Sequence, residues 1–324
     1  MKVAVTDYIE PDLNWEVEEF KKLGLDYSLY QLKHASPKEL VENLSDADIL
    51  VVNMAKMNRE VLSKLNKCKL IIRHGAGYDN VDINAATEFN IVVSYVPDYC
   101  TYEVAEQAAM LILTAYRKFV PQLESMKISV KKGEWDFKRV FPLRRLSGKT
   151  AGIIGCGRIG QKVLNILRGF GINVLIHDPK LSKERLKDLG VSNSSLEHVL
   201  SNSDMVTVHC NLDSTTYHLI GEKEFKMMKS DAIFVNTARG GIVDANALAK
   251  ACKENWIAGA GIDVYEKEPP DKDFPLIGLK NVILTPHLSW YSEDASWDIR
   301  WKIVEDIKRF VQGEKPRFPV NNIA

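Results

Sequence analysis

Short apolar runs alternate along the chain with stretches in which apolar residues recur every three or four positions. That alternation predicts strand and helix units laid on a parallel sheet. In the first hundred residues the runs fall at 3–5, 27–32, 49–52, 70–72 and 91–93, with helical patterns near 15–23, 37–44 and 59–65. They predict a five-stranded open sheet. A second series follows at 150–154, 173–176, 205–208, 232–235, 258–262 and 282–284. Runs this continuous suit strands covered on both faces.

Between the two series the pattern changes. Residues 103–117 are polar for one turn and then apolar nearly all round, which predicts a helix buried on every side and wedged between two domains. Residues 127–145 are charged and aromatic without a strand pattern, and read as an arm reaching towards a second subunit. After the last strand an amphipathic helix is expected over about 293–311, with Gly313 as its C-cap and Pro316 beyond. This helix can cover the first sheet. The expected layout is therefore discontinuous, with 1–100 and 290–324 in one domain and 101–289 in the other. The fold class is α/β, with two Rossmann-like, doubly wound parallel-sheet domains.

A chain of 324 residues, 45% apolar and 27% charged, can bury two such cores. Lys plus Arg and Asp plus Glu both number 43, so no net field favours nucleic acid or an anionic membrane. A small molecule or a second copy of the chain is the expected partner. The first residues read as a buried strand rather than a signal peptide, and no apolar run reaches membrane-spanning length. The five cysteines are scattered and lack metal-ligand spacing, so no metal is expected, and the thiols suit a reducing, cytoplasmic setting.

The glycines carry the first chemical signal. Gly155-Cys156-Gly157-Arg158-Ile159-Gly160 matches GxGxxG directly after one apolar run and opens a helical pattern over 161–170. The first glycine permits a tight turn, the second lets backbone approach a pyrophosphate, and the third lets helix and strand pack closely. The next strand ends in Asp178, placed to accept hydrogen bonds from an adenosine ribose and to repel a 2′-phosphate. NAD is favoured over NADP. The motif lies mid-chain, unlike that of L-lactate and malate dehydrogenases. None of the eleven tyrosines has Lys four positions on, as short-chain dehydrogenases require.

Three later strands run into polar groups: Thr237-Ala238-Arg239, Asp263 through Glu268, and Thr285-Pro286-His287. In open α/β sheets ligands bind beyond the carboxyl ends of the strands. If these strands are neighbours, a cation, an acid and an imidazole converge there. Reducing a 2-keto acid needs hydride at C2, a proton for the alkoxide and an anchor for the carboxylate. His287 suits the proton transfer, since imidazole titrates near neutral pH. Glu268 on its other nitrogen would fix the tautomer, and Arg239 can fork onto carboxylate and carbonyl oxygens.

These residues resemble the D-isomer-specific 2-hydroxyacid dehydrogenases over nearly the whole chain. Residues 73–82 (RHGAGYDNVD), Val104-Ala105-Glu106, 155–160 with Asp178, 236–244, 263–270 and 285–287 carry the likeness. The resemblance implies an active site in the cleft between two Rossmann-like domains, and a homodimer built through the cofactor domain. It implies Arg239, Glu268 and His287 as the catalytic set and Asp263 as a contact of the nicotinamide carboxamide. Arg158 and Ile159 would meet the pyrophosphate through their backbone, and Thr237 and Ala238 would line the nicotinamide. His209 and Thr215 fall at cofactor-side positions. Ala76 and Gly77 would hold the substrate carboxylate, with Arg73 and Tyr99 also on the substrate side. The stretch His287-Leu288-Ser289-Trp290 is nearer the C-terminal binding proteins, whose matching tryptophan contacts substrate. An NAD(H)-sensing corepressor-like protein and a phosphite oxidoreductase stand as the alternatives to a D-2-hydroxyacid dehydrogenase.

Overall fold

The computed structural model describes residues 1–322. Their Cα positions divide into two compact units, one holding residues 1–100 and the chain from Tyr291 onward, the other residues 101–290.

The first unit contains β1 (Lys2–Val5), β2 (Asp26–Leu29), β3 (Ile49–Val52), β4 (Leu70–Arg73) and β5 (Val92–Tyr95). All pair in parallel in the order β2-β1-β3-β4-β5. This doubly wound order starts from an interior first strand, with β2 on one side and β3 to β5 on the other. Strand β2 ends earlier than its apolar run suggests, because Tyr30 and Leu32 leave the pairing with β1 while their N–H groups still bond Val5 O and Thr6 O. Leu40, Leu44, Val61, Leu62 and Ala85 cover one face. The helices Asn14–Lys22 and Glu293–Val311 also belong to this unit, joined by Arg300, which forks onto the buried Glu16 at 2.5 and 2.6 Å.

The second unit contains β6 (Thr150–Ile154), β7 (Asn173–His177), β8 (Met205–Val208), β9 (Ile233–Asn236), β10 (Gly259–Ile262) and β11 (Val282–Leu284). The order is β11-β10-β9-β8-β6-β7, again all parallel. Strands β8, β9 and β10 are buried at every position, which is why they read as largely apolar runs, with Thr207 and Asn236 the buried polar exceptions. The helices Thr101–Tyr116 and Arg158–Gly169 pack on one face through Leu111, Ile112, Val163 and Leu164. Val199, Phe225 and Leu248 pack on the other. The order in which strands are added reverses at β6, with β7 on one side and β8 on the other, and ligands settle at such a switch point.

One expectation is corrected. The helix Thr101–Tyr116 is not buried on every side: Met110 is 46% and Tyr102 61% exposed, because the small residues Ala105, Ala108 and Ala109 bring one face onto its neighbours and leave the other outward. The segment 127–145, expected as an arm, overlaps the end of a helix, Phe119–Lys132, that the sequence pattern had not assigned. Phe119, Leu123, Met126 and Val130 recur at helical spacing on one face and, with Val120, remain exposed.

Candidate functional site

Because β6 to β11 all run the same way, their carboxyl ends share one edge of the second sheet. That edge carries the glycine turn, Asp178, His209, Thr237 to Arg239, Asp263 to Glu268, and Thr285 to His287.

The glycine turn has the shape its sequence requires. Gly155 adopts φ +89°, and a Cβ there would lie 2.5 Å from the backbone N of Cys210, so neither conformation nor space admits a side chain. A Cβ on Gly160 would lie 2.3 Å from Gly155 O, so this glycine is what brings the helix Arg158–Gly169 against the turn. Gly157 heads that helix, and a Cβ on it would meet nothing within 4 Å. The helix has no side-chain cap hydrogen bond, and a helix N-terminus of this kind attracts anions. Asp178 is fixed beside the turn: one carboxylate oxygen accepts from Cys156 N at 2.7 Å, the other from Lys180 N at 2.9 Å.

Two buried polar atoms on this edge have no partner among the described residues: Nδ1 of His209 and Oγ1 of Thr237. Nε2 of His209 meets Thr207 Oγ1 at 3.0 Å, and burial pushes the imidazole down to about 3. Buried polar groups are normally paired, so orphans at a strand edge fit a ligand that completes them. With the glycine turn and a carboxylate at the end of β7, they fit a dinucleotide. Thr215 lies in the exposed loop after β8, where its N and Oγ1 bond Asp213 Oδ1 at 2.8 and 2.5 Å.

Strands β9, β10 and β11 are neighbours, which brings the cation, the acid and the imidazole to adjacent positions. Oε2 of Glu268 lies 2.7 Å from Nδ1 of His287. Its Oε1 accepts from Tyr265 N at 3.0 Å, fixing the carboxylate plane. Burial pulls the Glu268 carboxyl upwards, but the hydrogen bond and charge of His287, the Tyr265 N–H and the charge of Arg239 outweigh it and hold the group below the ordinary range. Arg239 follows a turn organised by the buried Asn236, whose Nδ2 donates to Arg239 O at 2.8 Å and whose Oδ1 accepts from Ala238 N at 2.9 Å. His287 itself sits at φ +54°, uncommon for a residue other than glycine and concentrated at functional sites.

Asp263 has a part that sequence reasoning missed. It is fully buried, and its oxygens accept from Thr285 Oγ1 at 2.5 Å, Leu288 N at 3.1 Å, Ser289 N at 2.9 Å and Ser289 Oγ. Four donors fill a carboxylate's acceptor positions. A contact to a nicotinamide carboxamide, the expected role, requires one of them to be exchanged; what Asp263 does here is clamp the loop that carries His287. Tyr265 OH, donating to Thr285 O at 2.8 Å, secures the same loop. The sequence signal was a lone acid directly after a buried strand.

The remaining expected residues are not gathered with this group inside the second unit. Trp290, half-buried, ends the unit just after the His287 loop. Arg73, Ala76, Gly77 and Tyr99 belong to the first unit, at and after the carboxyl ends of β4 and β5. There the Arg73 guanidinium folds back onto His74 O, and Ala76 and Gly77 are half-buried.

Among the described residues no helix is long and apolar enough to cross a membrane, and no cluster of His, Cys, Asp and Glu could hold a metal ion. Residues 109–289 match the family model for the NAD binding domain of D-isomer specific 2-hydroxyacid dehydrogenase. The chain is 40% identical over 323 residues to D-3-phosphoglycerate dehydrogenase of Methanocaldococcus jannaschii, covering 99% of this chain but spanning only 59% of that protein's length. It is 37% identical over 328 residues to glyoxylate reductase of Thermococcus litoralis, covering 99% of this chain and 96% of the relative. Among solved structures, D-lactate dehydrogenase from Aquifex aeolicus, complexed with NAD and lactic acid, superposes with a TM-score of 0.88 at 29% identity, covering 99% and 100% of the two chains.

Proposed function

The chain belongs to the D-isomer-specific 2-hydroxyacid dehydrogenases, and from that premise we propose that it moves a hydride reversibly between NAD(H) and C2 of a small 2-keto or 2-hydroxy acid. The observation that carries this reading is the 2.7 Å pairing of Glu268 with His287 Nδ1, on the strand edge that also presents Arg239. The bound nicotinamide supplies or accepts the hydride. With Nδ1–H committed to Glu268, Nε2 of His287 is left to give a proton to the carbonyl oxygen in reduction and to take it back in oxidation. Arg239 binds the carboxylate and polarises the C=O. In the first unit, the N–H groups of Ala76 and Gly77 hold the substrate carboxylate, with Arg73 and Tyr99 beside them, and Trp290 lines the side-chain pocket.

Residues Gly155 to Gly160 receive the pyrophosphate, Asp178 the adenosine ribose, and His209, Thr237 and Ala238 the nicotinamide half; Thr215 borders the cofactor. The exposed apolar residues of the helix Phe119–Lys132 support a homodimer in which a second copy covers them. The five cysteines, none in a disulfide, support a cytoplasmic setting.

The test is NADH oxidation across glyoxylate, pyruvate, hydroxypyruvate, phosphohydroxypyruvate and branched keto acids, with chiral analysis of the product. Turnover of at least one to the D-hydroxy acid is expected. Absence of turnover with the whole panel, by protein that binds NADH, would overturn the reading.

A further inference from the structure

The loops that follow β7 and β8 flank the glycine turn after β6, since β6 lies between those strands. An ion pair joins the two loops: Lys180 Nζ lies 3.3 Å from Asp213 Oδ2. Lys180 stands two residues after Asp178, and its backbone N–H donates to the Asp178 carboxylate, so it is tied to the position that meets the adenosine ribose in the function proposed above. Asp213 is held in turn by Thr215, whose N and Oγ1 both donate to its Oδ1. Those two hydrogen bonds, with lesser help from Lys180, bring the Asp213 carboxyl down to about 2, so it is charged at any working pH.

We infer that Asp213 is a second determinant of cofactor choice, acting by neutralising Lys180, the cation that would otherwise receive a ribose 2′-phosphate. The dinucleotide-binding reading is assumed here. A 2′-phosphate brings about two negative charges at pH 7. At this rim it meets the carboxylates of Asp178 and Asp213 together with a lysine whose charge is already answered. Lys183, the next cation, opens the helix Lys183–Asp188, and Arg185 within that helix donates to Gln161 Oε1 at 2.7 Å. Removing the Asp213 charge takes away one repulsion and releases Lys180 to the phosphate. Asp178 discriminates by direct repulsion; Asp213 discriminates by occupying Lys180.

Asp213→Asn is the informative change, because its amide oxygen still accepts from Thr215 and preserves the turn. Equilibrium titration of nucleotide fluorescence at low ionic strength, on the full chain, reads NADH and NADPH affinity without turnover. The pair is exposed, with 77% of the Lys180 and 39% of the Asp213 side chain accessible, so a gain of about three- to tenfold in NADPH affinity is expected rather than a full switch. NADH affinity should move less than about twofold, which also reports an intact fold. The gain should vanish in the Asp213→Asn, Lys180→Met double variant; Asp213→Ser serves if the asparagine disturbs the loop. An unmoved NADPH affinity, or a gain that persists without Lys180, overturns the inference. Failure of the unmodified protein to bind either nucleotide would instead overturn the dinucleotide-binding reading itself.

Discussion

Replacing Glu268 by glutamine should damage the enzyme more than replacing it by alanine, contrary to the usual ranking of conservative changes. Oε1 of Glu268 accepts from Tyr265 N at 3.0 Å, and Oε2 faces His287 Nδ1 at 2.7 Å. A glutamine keeps the first bond only with its carbonyl oxygen, so its NH2 group faces His287. Nδ1 must then accept, and the imidazole proton moves to Nε2, where it blocks uptake of a proton from the alcohol. Alanine removes the carboxylate but imposes no tautomer. A hydrogen bond to a charged group contributes about 1.5–3 kcal/mol, and because a third of each side chain is accessible the lower half of that range applies. At 1.36 kcal/mol per decade, alanine should cost roughly 10- to 30-fold in kcat for hydroxy-acid oxidation. Glutamine adds the enforced tautomer and should cost roughly 100-fold or more. Steady-state oxidation kinetics with saturating NAD decide the matter. A glutamine variant as active as the alanine variant would refute the tautomer argument.

Two other perturbations follow from the same geometry. Asp263→Asn turns an amide towards the Ser289 donors and should lower stability by about 2–4 kcal/mol, read as a fall in thermal midpoint, with a loss of kcat larger than any change in NADH affinity. His209 folds as a neutral group that takes up a proton only near pH 3, whereas the unfolded chain takes it up below about pH 6.5. Below that value the unfolded state binds more protons, so stability falls with falling pH by at most about 1.4 kcal/mol per unit from this residue, a slope that His209→Gln should flatten between pH 6 and 4.5 in urea titrations.

Both sheets were legible because parallel strands covered on both faces read as nearly continuous apolar runs, unbroken in Ile49–Val52 and interrupted only by Thr207 in Met205–Val208. The site's general position was legible for a related reason: polar residues that end such runs must share one edge when the strands are parallel. The helix Phe119–Lys132 was missed although Phe119, Leu123, Met126 and Val130 recur at helical spacing, because that apolar stripe is exposed and the residues it buries are Ser125 and Ser129. Side-chain partnerships were harder still. Nothing local in the sequence says that Asp263 clamps Leu288 and Ser289, or that Lys180 meets Asp213, because each pairing joins loops from two different strands. Arg73 and Tyr99 stood out by family likeness alone, since a strand-end arginine and a loop tyrosine carry no pattern of their own.

His287→Ala separates proton transfer from every other use of that histidine. Measured on one preparation, NADH affinity should stay within about threefold of the unmodified protein while keto-acid reduction falls by about a thousandfold or more. Turnover that survives the change, or that falls only in proportion to lost NADH binding, would contradict the assignment of His287 as the group that exchanges a proton with the substrate.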